Sequence, residues 1–353
     1  MSQSFHNVWL HRFACLLGLT TLSLVALGGV VTTKGVGMAV PDWPTTYGEN
    51  MFLFPPSKWI GGIFYEHTHR LLASWVGLLT LVLAVWLWRK ESRRWLRWLG
   101  VAAVVAVVVQ GLFGGSRVVF DEHGLGTEFG ILHAALAQLF FLLLCSIALF
   151  TSQGWCTGRF GRILPASAVV LRRWFGVTTG LILVQLIFGA TMRHQHAGLA
   201  VPDFPLAHGR LWPATDDASI QSYNSRRLEA AGERPITAPH VAVHMLHRIL
   251  GFVLLLAIVS CAVLARRGAP AGSWVRRGTA LWVWLAVVQV TLGVLSILSQ
   301  RKVDVTTAHV ALGALTFALG WVLVLLSSRA SGAAAREPRS HVDSTAPSAL
   351  SPA

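Results

Sequence analysis

The sequence has few charged residues, and this scarcity excludes an ordinary soluble protein. Only 12% of the 353 residues are Asp, Glu, Lys or Arg, whereas 54% are hydrophobic. A soluble domain carries about twice that charged fraction. The apolar residues form long runs, at 13–31, 71–88, 99–115, 131–150, 174–192, 249–265, 280–298 and 308–327. Each run can cross a bilayer as a helix, so the sequence predicts an all-α integral membrane protein with eight transmembrane helices.

Acidic residues are also scarce, and the basic residues that outnumber them orient the chain. The net charge is +14, but the basic residues cluster in alternate loops. They include the segment RKESRRWLR at 89–97 and Arg159, Arg162, Arg172, Arg173, Arg266, Arg267, Arg276 and Arg277. The positive-inside rule makes these loops and both termini cytoplasmic. The charge therefore indicates a multi-pass protein of the plasma or inner membrane, with lipid rather than nucleic acid as its surroundings.

Cysteine is scarce as well, and its placement argues against a disulfide or a thiolate metal site. The four cysteines are Cys15, Cys145, Cys156 and Cys261. None has metal-ligand spacing and none lies in a predicted outer loop, so we expect no disulfide.

One unusual loop occurs twice. Residues 37–44 read GMAVPDWP and residues 198–205 read GLAVPDFP, with six of eight letters the same. The prolines end the preceding helix and the Asp can accept bonds from backbone amides. Two interpretations stay open and are compatible: a rigid re-entrant plug, or a loop that contacts substrate.

The repeat extends beyond this loop and predicts two tandem four-helix bundles. Residues 12–150 form the first unit and residues 174–328 the second, and both units begin and end on the inner side. The two units are therefore related by an axis along the membrane normal. Residues 329–353 are rich in Ala, Ser and Pro, which predicts a disordered tail.

Four histidines occupy equivalent positions in the repeat. Each lies near the start of a helix that runs inward, so all lie at a similar depth: His69, His133, His247 and His309. Ionisable side chains within a membrane are costly and usually functional. Facing neutral imidazoles favour axial ligation of heme iron. Proton relay stays open, because histidine titrates near neutrality.

The residues beside these histidines differ between the halves. Arg70 and Arg248 follow their histidines and point to another face, where each could contact a heme propionate or anchor the helix at the interface. Glu66 precedes His69 by three residues and shares its face, whereas His244 takes that place in the second half. This asymmetry suggests unequal tasks, although an acidic residue is also favourable at any helix start.

The segment EHTHR at 66–70, the VPDWP loop, the second His-Arg pair and the histidines at 133 and 309 together resemble the heme A synthase family. The resemblance covers about residues 12–328. It implies an enzyme of heme biosynthesis that oxidises the methyl group at position 8 of heme O to a formyl group, giving heme A for the terminal oxidase. It also implies an N-terminal unit for the substrate heme and a C-terminal unit for a resident heme b.

The resemblance implies a role for each candidate residue. His247 and His309 would ligate heme b, a cofactor bound through its iron. His69 and His133 would ligate or position heme O, with Glu66 as the catalytic residue. Heme O synthase and oxidase assembly factors are candidate partners, and a homo-oligomer is a candidate state.

Two further points follow from this resemblance. Many members carry cysteines where this chain has Val40 and Thr46, so a mechanism that needs a loop thiol cannot operate here. A di-heme b-type cytochrome that passes electrons from quinol is the alternative, although its halves should be symmetric.

Overall fold

The computed structural model describes residues 6–158, 160, 165–231 and 235–334, and these residues are mainly helical. The helices are α1 (Val8–Thr33), α2 (Gly61–Lys90), α3 (Arg94–Val119), α4 (Gly126–Thr151), α5 (Gln153–Thr157), α6 (Pro165–His194), α7 (Asp217–Ala231), α8 (Ala238–Gly268), α9 (Trp274–Leu298) and α10 (Val303–Ala334). Eight of them, all except α5 and α7, are long and apolar enough to cross a membrane. The predicted all-α membrane fold is therefore confirmed.

The helices extend beyond the apolar runs that predicted them. The run at 71–88 belongs to α2, which begins at Gly61, and the run at 249–265 belongs to α8, which begins at Ala238. The first turns of both helices carry the polar residues of the candidate site, and these interrupt the apolar pattern. The candidate residues of these two helices therefore lie on regular helix rather than in the preceding loops.

The transmembrane helices pack as two four-membered rings. In the first ring α1 contacts α2 and α4, and α3 completes the circuit; in the second, α6 contacts α8 and α10, and α9 completes it. The rings meet where α1 and α4 pack against α6 and α10. A hydrogen bond of 2.8 Å from Trp321 Nε1 to Ser146 Oγ joins them.

Each ring has its own core. Leu17, Leu83 and Leu144 are fully enclosed in the first ring. In the second, Trp282 is fully buried and donates its Nε1 hydrogen to the Thr316 carbonyl at 2.8 Å. Burying an indole requires such a partner for its N–H group. These cores hold the helices that carry the histidines.

Both repeated loops lie at one end of the bundle, which we call the loop end. The helix α7 also lies there, and its polar sequence gave no apolar run by which to predict it. Tyr223 of α7 stacks on His208 at a ring-centroid distance of 3.5 Å, and Asn224 exchanges two hydrogen bonds with Ile236. This helix therefore covers the second repeated loop.

The predicted tail begins inside a helix. α10 continues to Ala334, past the expected boundary at 329, because the Ala-rich segment there can extend the helix. The rest of the predicted tail, 335–353, lies outside the described residues, as do Arg159 and Arg162.

Candidate functional site

Two imidazoles face each other inside the second bundle. His247 lies on α8 and His309 on α10, with ring centroids 6.5 Å apart and ring planes inclined by 67°. Both line a mainly apolar cavity of about 240 Å³. A buried water requires only about 15 Å³. The cavity therefore suits a large apolar group that binds both rings.

A glycine on the neighbouring helix makes room for each of these rings. A Cβ atom at Gly189 of α6 would lie 3.3 Å from Cε1 of His247, and one at Gly293 of α9 would lie 3.1 Å from Cε1 of His309. Either side chain would have to move if its glycine became larger. The close packing therefore fixes the direction of both rings.

The first bundle repeats this arrangement. A Cβ atom at Gly28 would lie 3.2 Å from Cε1 of His69, and one at Gly114 would lie 3.0 Å from Cε1 of His133. The two imidazoles are also close enough to interact electrostatically. The structure thus brings the four predicted histidines together as two pairs, one in each bundle.

Backbone carbonyl groups orient one histidine of each pair. Nδ1 of His309 lies 3.0 Å from the Gln289 carbonyl oxygen, and Nδ1 of His133 lies 3.1 Å from that of Gln110. Because a carbonyl oxygen only accepts, the hydrogen of each ring must be on Nδ1. Nε2 is then left with a free lone pair, as a metal ligand requires.

The pair in the second bundle fits a heme iron between the rings. Half of the 6.5 Å centroid separation is about 3.3 Å. A metal–imidazole bond of about 2 Å, plus about 1 Å from nitrogen to ring centre, gives a similar length. Among the described residues, no three His, Cys, Asp or Glu side chains form a metal-binding group. The donors therefore suit a metal that already has other ligands, as heme iron has.

Arg70 and Arg248 hold the repeated loops. Arg70 donates to the carbonyl oxygens of Asp42 and Val40 at 2.6 and 2.8 Å. Arg248 donates to those of Asp203 and Val201 at 2.7 and 2.8 Å. Both guanidinium groups are thus directed at backbone, and the interface-anchor interpretation does not describe these contacts. Contact with a propionate stays a prediction.

The unequal residues before the histidines have one structural task in common. Glu66 is 4% exposed; its Oε2 accepts the Val40 amide hydrogen at 2.8 Å, and its Oε1 pairs with Arg70 at 2.8 Å. In the second half, Nδ1 of His244 accepts from the Val201 amide at 3.3 Å. Glu66 therefore adds a buried charge to a loop contact that both halves make.

The loops themselves share one turn geometry. Asp42 accepts from the Tyr47 and Gly48 amides at 2.7 and 2.8 Å, and Asp203 accepts from the His208 and Gly209 amides at the same distances. Burial raises the pKa of Asp203, but the amide hydrogen bonds outweigh it, so the pKa lies below its usual value. Both glycines have a φ near +75°, which only glycine adopts without strain.

The aromatic residues of the loops have different surroundings. Phe204 lines the cavity of the second bundle and stacks on Phe252 at a centroid distance of 6.5 Å. Trp43 instead packs on Gly115 of α3, where no side chain would fit. The second loop therefore does more than close the bundle, because one of its side chains forms a wall of the cavity.

The positions that hold cysteine in the resembling family are filled here by buried residues. Val40 and Thr46 have no exposed surface, and the Thr46 hydroxyl lies 3.3 Å from Nδ1 of His67. All four cysteines of the chain are free. The loop is therefore held by hydrogen bonds and packing.

Sequence reasoning missed the supports of the histidines. We call the glycines that pack on the four histidines notch glycines. A glutamine precedes three of them by four residues, as in Gln185-x-x-x-Gly189, with Gln110 and Gln289 in the other two cases. Nε2 of Gln185 donates to the His247 carbonyl oxygen at 2.9 Å. This repeated spacing was the signal that could have identified them.

Sequence reasoning also missed three arginines at the loop end. Arg193 and Arg301 line the cavity of the second bundle. Arg117, at the end of α3, interacts electrostatically with Glu66 and with both histidines of the first bundle. They escaped notice because none of them belongs to a recognisable motif.

Comparison with known proteins gives one family and many relatives. Residues 58–320 match the model of the COX15-CtaA family, described as cytochrome oxidase assembly protein. A protein named heme A synthase from Halalkalibacterium halodurans is 26% identical over 330 residues, covering 91% of this chain and 99% of the relative. Heme A synthases of Geobacillus kaustophilus and Bacillus cereus are 26% and 27% identical, covering 94% and 91% of this chain and 96% and 95% of their own lengths.

Proposed function

This chain belongs to the COX15-CtaA family of cytochrome oxidase assembly proteins, and we propose that it is a heme A synthase. It is a membrane enzyme that oxidises the position-8 methyl group of heme O to a formyl group. The observation that carries this function is the pair of imidazoles facing each other in an apolar cavity of the second bundle, with a matching histidine pair packed on glycines in the first bundle. The duplicated histidine pairs offer iron ligands for a resident heme and for a heme substrate.

The second bundle is the proposed site of the resident heme b. His247 and His309 would ligate its iron through Nε2, and the carbonyl group of Gln289 keeps the His309 ring in the required tautomer. When bound, the heme supplies reversible one-electron chemistry. The residues of the chain supply its axial ligands, its orientation and a dry pocket.

The first bundle is the proposed site of heme O. His69 and His133 would hold the substrate, and the orphaned Nδ1 of His69 is a buried polar atom with no partner among the described residues. The Arg70 clamp closes the loop over this site. Closure excludes water and keeps the methyl group in one position, which favours reaction at a single carbon.

Glu66 is the proposed catalytic residue of this bundle. It lies on the same helical face as His69, and its carboxylate is already bound by Arg70 and the Val40 amide. A carboxylate held in this way can stabilise positive charge that develops on the methyl carbon, or accept a proton released from it. His244 cannot supply a negative charge in the second bundle, which agrees with a resident rather than a reacting heme.

The proposal extends to the orientation and partners of the enzyme. The basic loops and both termini would face the cytoplasm, and the loop end would face outward. Heme O synthase would supply the substrate, and oxidase assembly factors would receive the product. A homo-oligomer is compatible with this arrangement.

The ligand assignment is tested by His247→Leu and His309→Leu, with His123→Leu on an exposed loop as the control. Each ligand variant should lose most of the low-spin heme b spectrum, because one axial bond is removed. The measurement is the reduced-minus-oxidised spectrum of the purified protein. An undiminished spectrum in either variant contradicts the assignment.

The enzymatic function is tested by the pigment bound to the purified full-length protein. Heme B with some heme O or heme A supports the synthase. Two molecules of heme B per chain, without heme O or heme A, would instead indicate the electron-carrying cytochrome.

A further inference from the structure

Two arginines line the loop end of the cavity in the second bundle. Arg193 lies in the last turn of α6 and Arg301 in the connection between α9 and α10. In the described part of the chain, neither arginine forms a salt bridge with an acidic side chain. The Nη1 atom of Arg193 is buried and has no hydrogen-bond partner among the residues that the structure describes.

The surroundings of Arg193 make this unpaired group costly. Arg193 interacts electrostatically with Arg301 and with Arg117 of the first bundle, which are both cations. A buried charge is tolerated only when it is paired, and like charges beside it raise the cost further. The described residues therefore leave the Arg193 guanidinium without an anion.

The position of Arg193 indicates where that anion belongs. Arg193 lines the same cavity as His247 and His309, so its guanidinium lies on the same side of the bundle interior as the proposed ligand pair. Carboxylate is the natural partner of a guanidinium, which can donate two parallel hydrogen bonds to it. Arg248, the other arginine in the cavity, already donates to loop carbonyl groups.

We propose that Arg193, with Arg301 beside it, binds a porphyrin carboxylate at the loop end of the cavity and thereby positions the resident heme. Arg117 lies across the boundary between the bundles, where it extends the same positive field toward the first site. This assignment rests on the proposed function only in that the ligand is a porphyrin. In the second bundle, Arg193 rather than Arg248 would then be the principal propionate contact.

The test uses purified full-length protein and the variants Arg193→Gln, Arg193→Lys and Arg301→Gln. Arg266→Gln, an exposed arginine at the opposite end of α8, is the matched control. Excess apomyoglobin captures heme as it is released. Arg193→Gln should release heme about tenfold faster than wild type, as expected when a charge-assisted hydrogen bond is lost. The rate of heme release from Arg193→Lys should lie between those of wild type and Arg193→Gln. Lysine keeps the positive charge but cannot donate two parallel hydrogen bonds.

Two further readouts separate carboxylate binding from general destabilisation. The scavenger-treated protein is reloaded with hemin or with hemin dimethyl ester, whose carboxylates are blocked. Wild type should prefer hemin, and Arg193→Gln should lose that preference. The midpoint potential of the bound heme should fall in Arg193→Gln, because a nearby cation favours the reduced iron.

The outcomes distinguish this inference from the function on which it rests. If wild type carries heme but binds hemin and its ester equally well, the carboxylate site is wrong and the synthase proposal stands. Heme release from Arg193→Gln at the rate of Arg266→Gln would overturn the inference as well. If wild type carries no heme, the proposed function fails and this inference fails with it.

Discussion

The glycine opposite each histidine determines where the imidazole lies. All four contacts between a notional Cβ atom and Cε1 fall between 3.0 and 3.3 Å, which is closer than side chains normally approach. A ligand must be held within a few tenths of an ångström of its working position. In this chain that precision comes from backbone proximity on the neighbouring helix, in addition to the hydrogen bonds of the histidines.

The variant Gly189→Ala tests this packing at a single residue. The added methyl group would press on His247, and overpacking of this kind costs about 1–3 kcal/mol. We therefore expect the affinity for the resident heme to fall about tenfold or more. Gly180→Ala on the same helix is the control, since a Cβ atom there meets no described residue within 4 Å. The measurement is heme content per protein after purification, and equal values for the two variants would contradict the role of the notch.

Glu66 combines a loop contact with a charge, and the two contributions are separable. Its counterpart His244 makes the loop contact alone. Glutamine at position 66 retains an oxygen that can accept the Val40 amide hydrogen, but it cannot form an ion pair with Arg70. A change at this residue therefore removes charge and leaves most of the geometry.

Glu66→Gln should therefore impair chemistry without loss of the resident heme. Removing a charge directed at a transition state costs about 3 kcal/mol, or about a hundredfold in rate. Heme A should fall and heme O, or a partly oxidised alcohol, should accumulate. His244→Gln should be milder and act, if at all, on the resident heme. Pigments are measured in a host without its own enzyme; normal heme A from Glu66→Gln, or greater damage from His244→Gln, would refute this division of tasks.

At the scale of elements, the sequence predicted every transmembrane helix but not where each one begins. The runs starting at 71 and 249 are the apolar parts of helices that begin at Gly61 and Ala238. Hydropathy cannot locate those starts, because the site places Glu66 and histidines in the first turns. The helix Asp217–Ala231 was missed for a related reason, since it lies at the loop end and needs no apolar run.

The candidate site was predictable only in part, for reasons that differ by residue. The four histidines share a repeat position, so the sequence alone could pair them. Gln185 and Gly189 share a spacing that recurs in the chain, but their contacts with His247 become visible only when two helices are packed. The positive surroundings of Arg193 include Arg117, which lies in the other half of the chain. Such proximity follows from the contact between bundles, which no local pattern encodes.

The second repeated loop offers a prediction at the scale of an element. Asp203 holds it through the His208 and Gly209 amides, and these bonds, against the opposing effect of burial, lower its pKa. A lowered pKa means that the stabilisation is complete above the unfolded value of about 3.9 and is lost only as the pH falls through the folded value. Loop order should therefore not change between about pH 5 and pH 8.

Asp203→Asn should loosen the loop at all of these pH values. Asparagine has one acceptor oxygen in place of two, so one amide loses its partner at a cost of about 1–3 kcal/mol. Hydrogen exchange of residues 198–209, followed by mass spectrometry, should become about tenfold faster or more. Asp216→Asn, whose carboxylate accepts from the Ser219 amide and hydroxyl outside the repeated loop, is the control. Exchange that rises equally in both variants, or only below pH 7 in wild type, would contradict the assigned role of Asp203.

At the scale of the whole molecule, duplication explains the architecture and divergence explains the function. Both halves keep the histidine pair, the notch glycines and the loop clamp. They differ in the residue that binds the loop amide, Glu66 or His244, and in the aromatic residue that the loop presents, Trp43 or Phe204. A tandem repeat with an axis along the membrane normal also requires both loops to lie on one side, because every unit crosses the bilayer an even number of times.

Because both repeated loops must lie on one side of the membrane, a single orientation applies to the whole chain. Two reporter positions test which end of the bundle faces outward. Ser222→Cys lies on the exposed surface of α7 at the loop end, and Ala271→Cys lies in the exposed connection between α8 and α9 at the other end. Each is placed in a chain whose native cysteines are replaced. In intact cells a membrane-impermeant maleimide should label Ser222→Cys only, and lysis should allow it to label both. The wild-type enzyme should keep full activity with the same reagent, since the basic loops place its native thiols away from the outer face. Labelling of Ala271→Cys in intact cells would reverse the orientation, and inactivation of wild type would show that an accessible thiol takes part in the reaction.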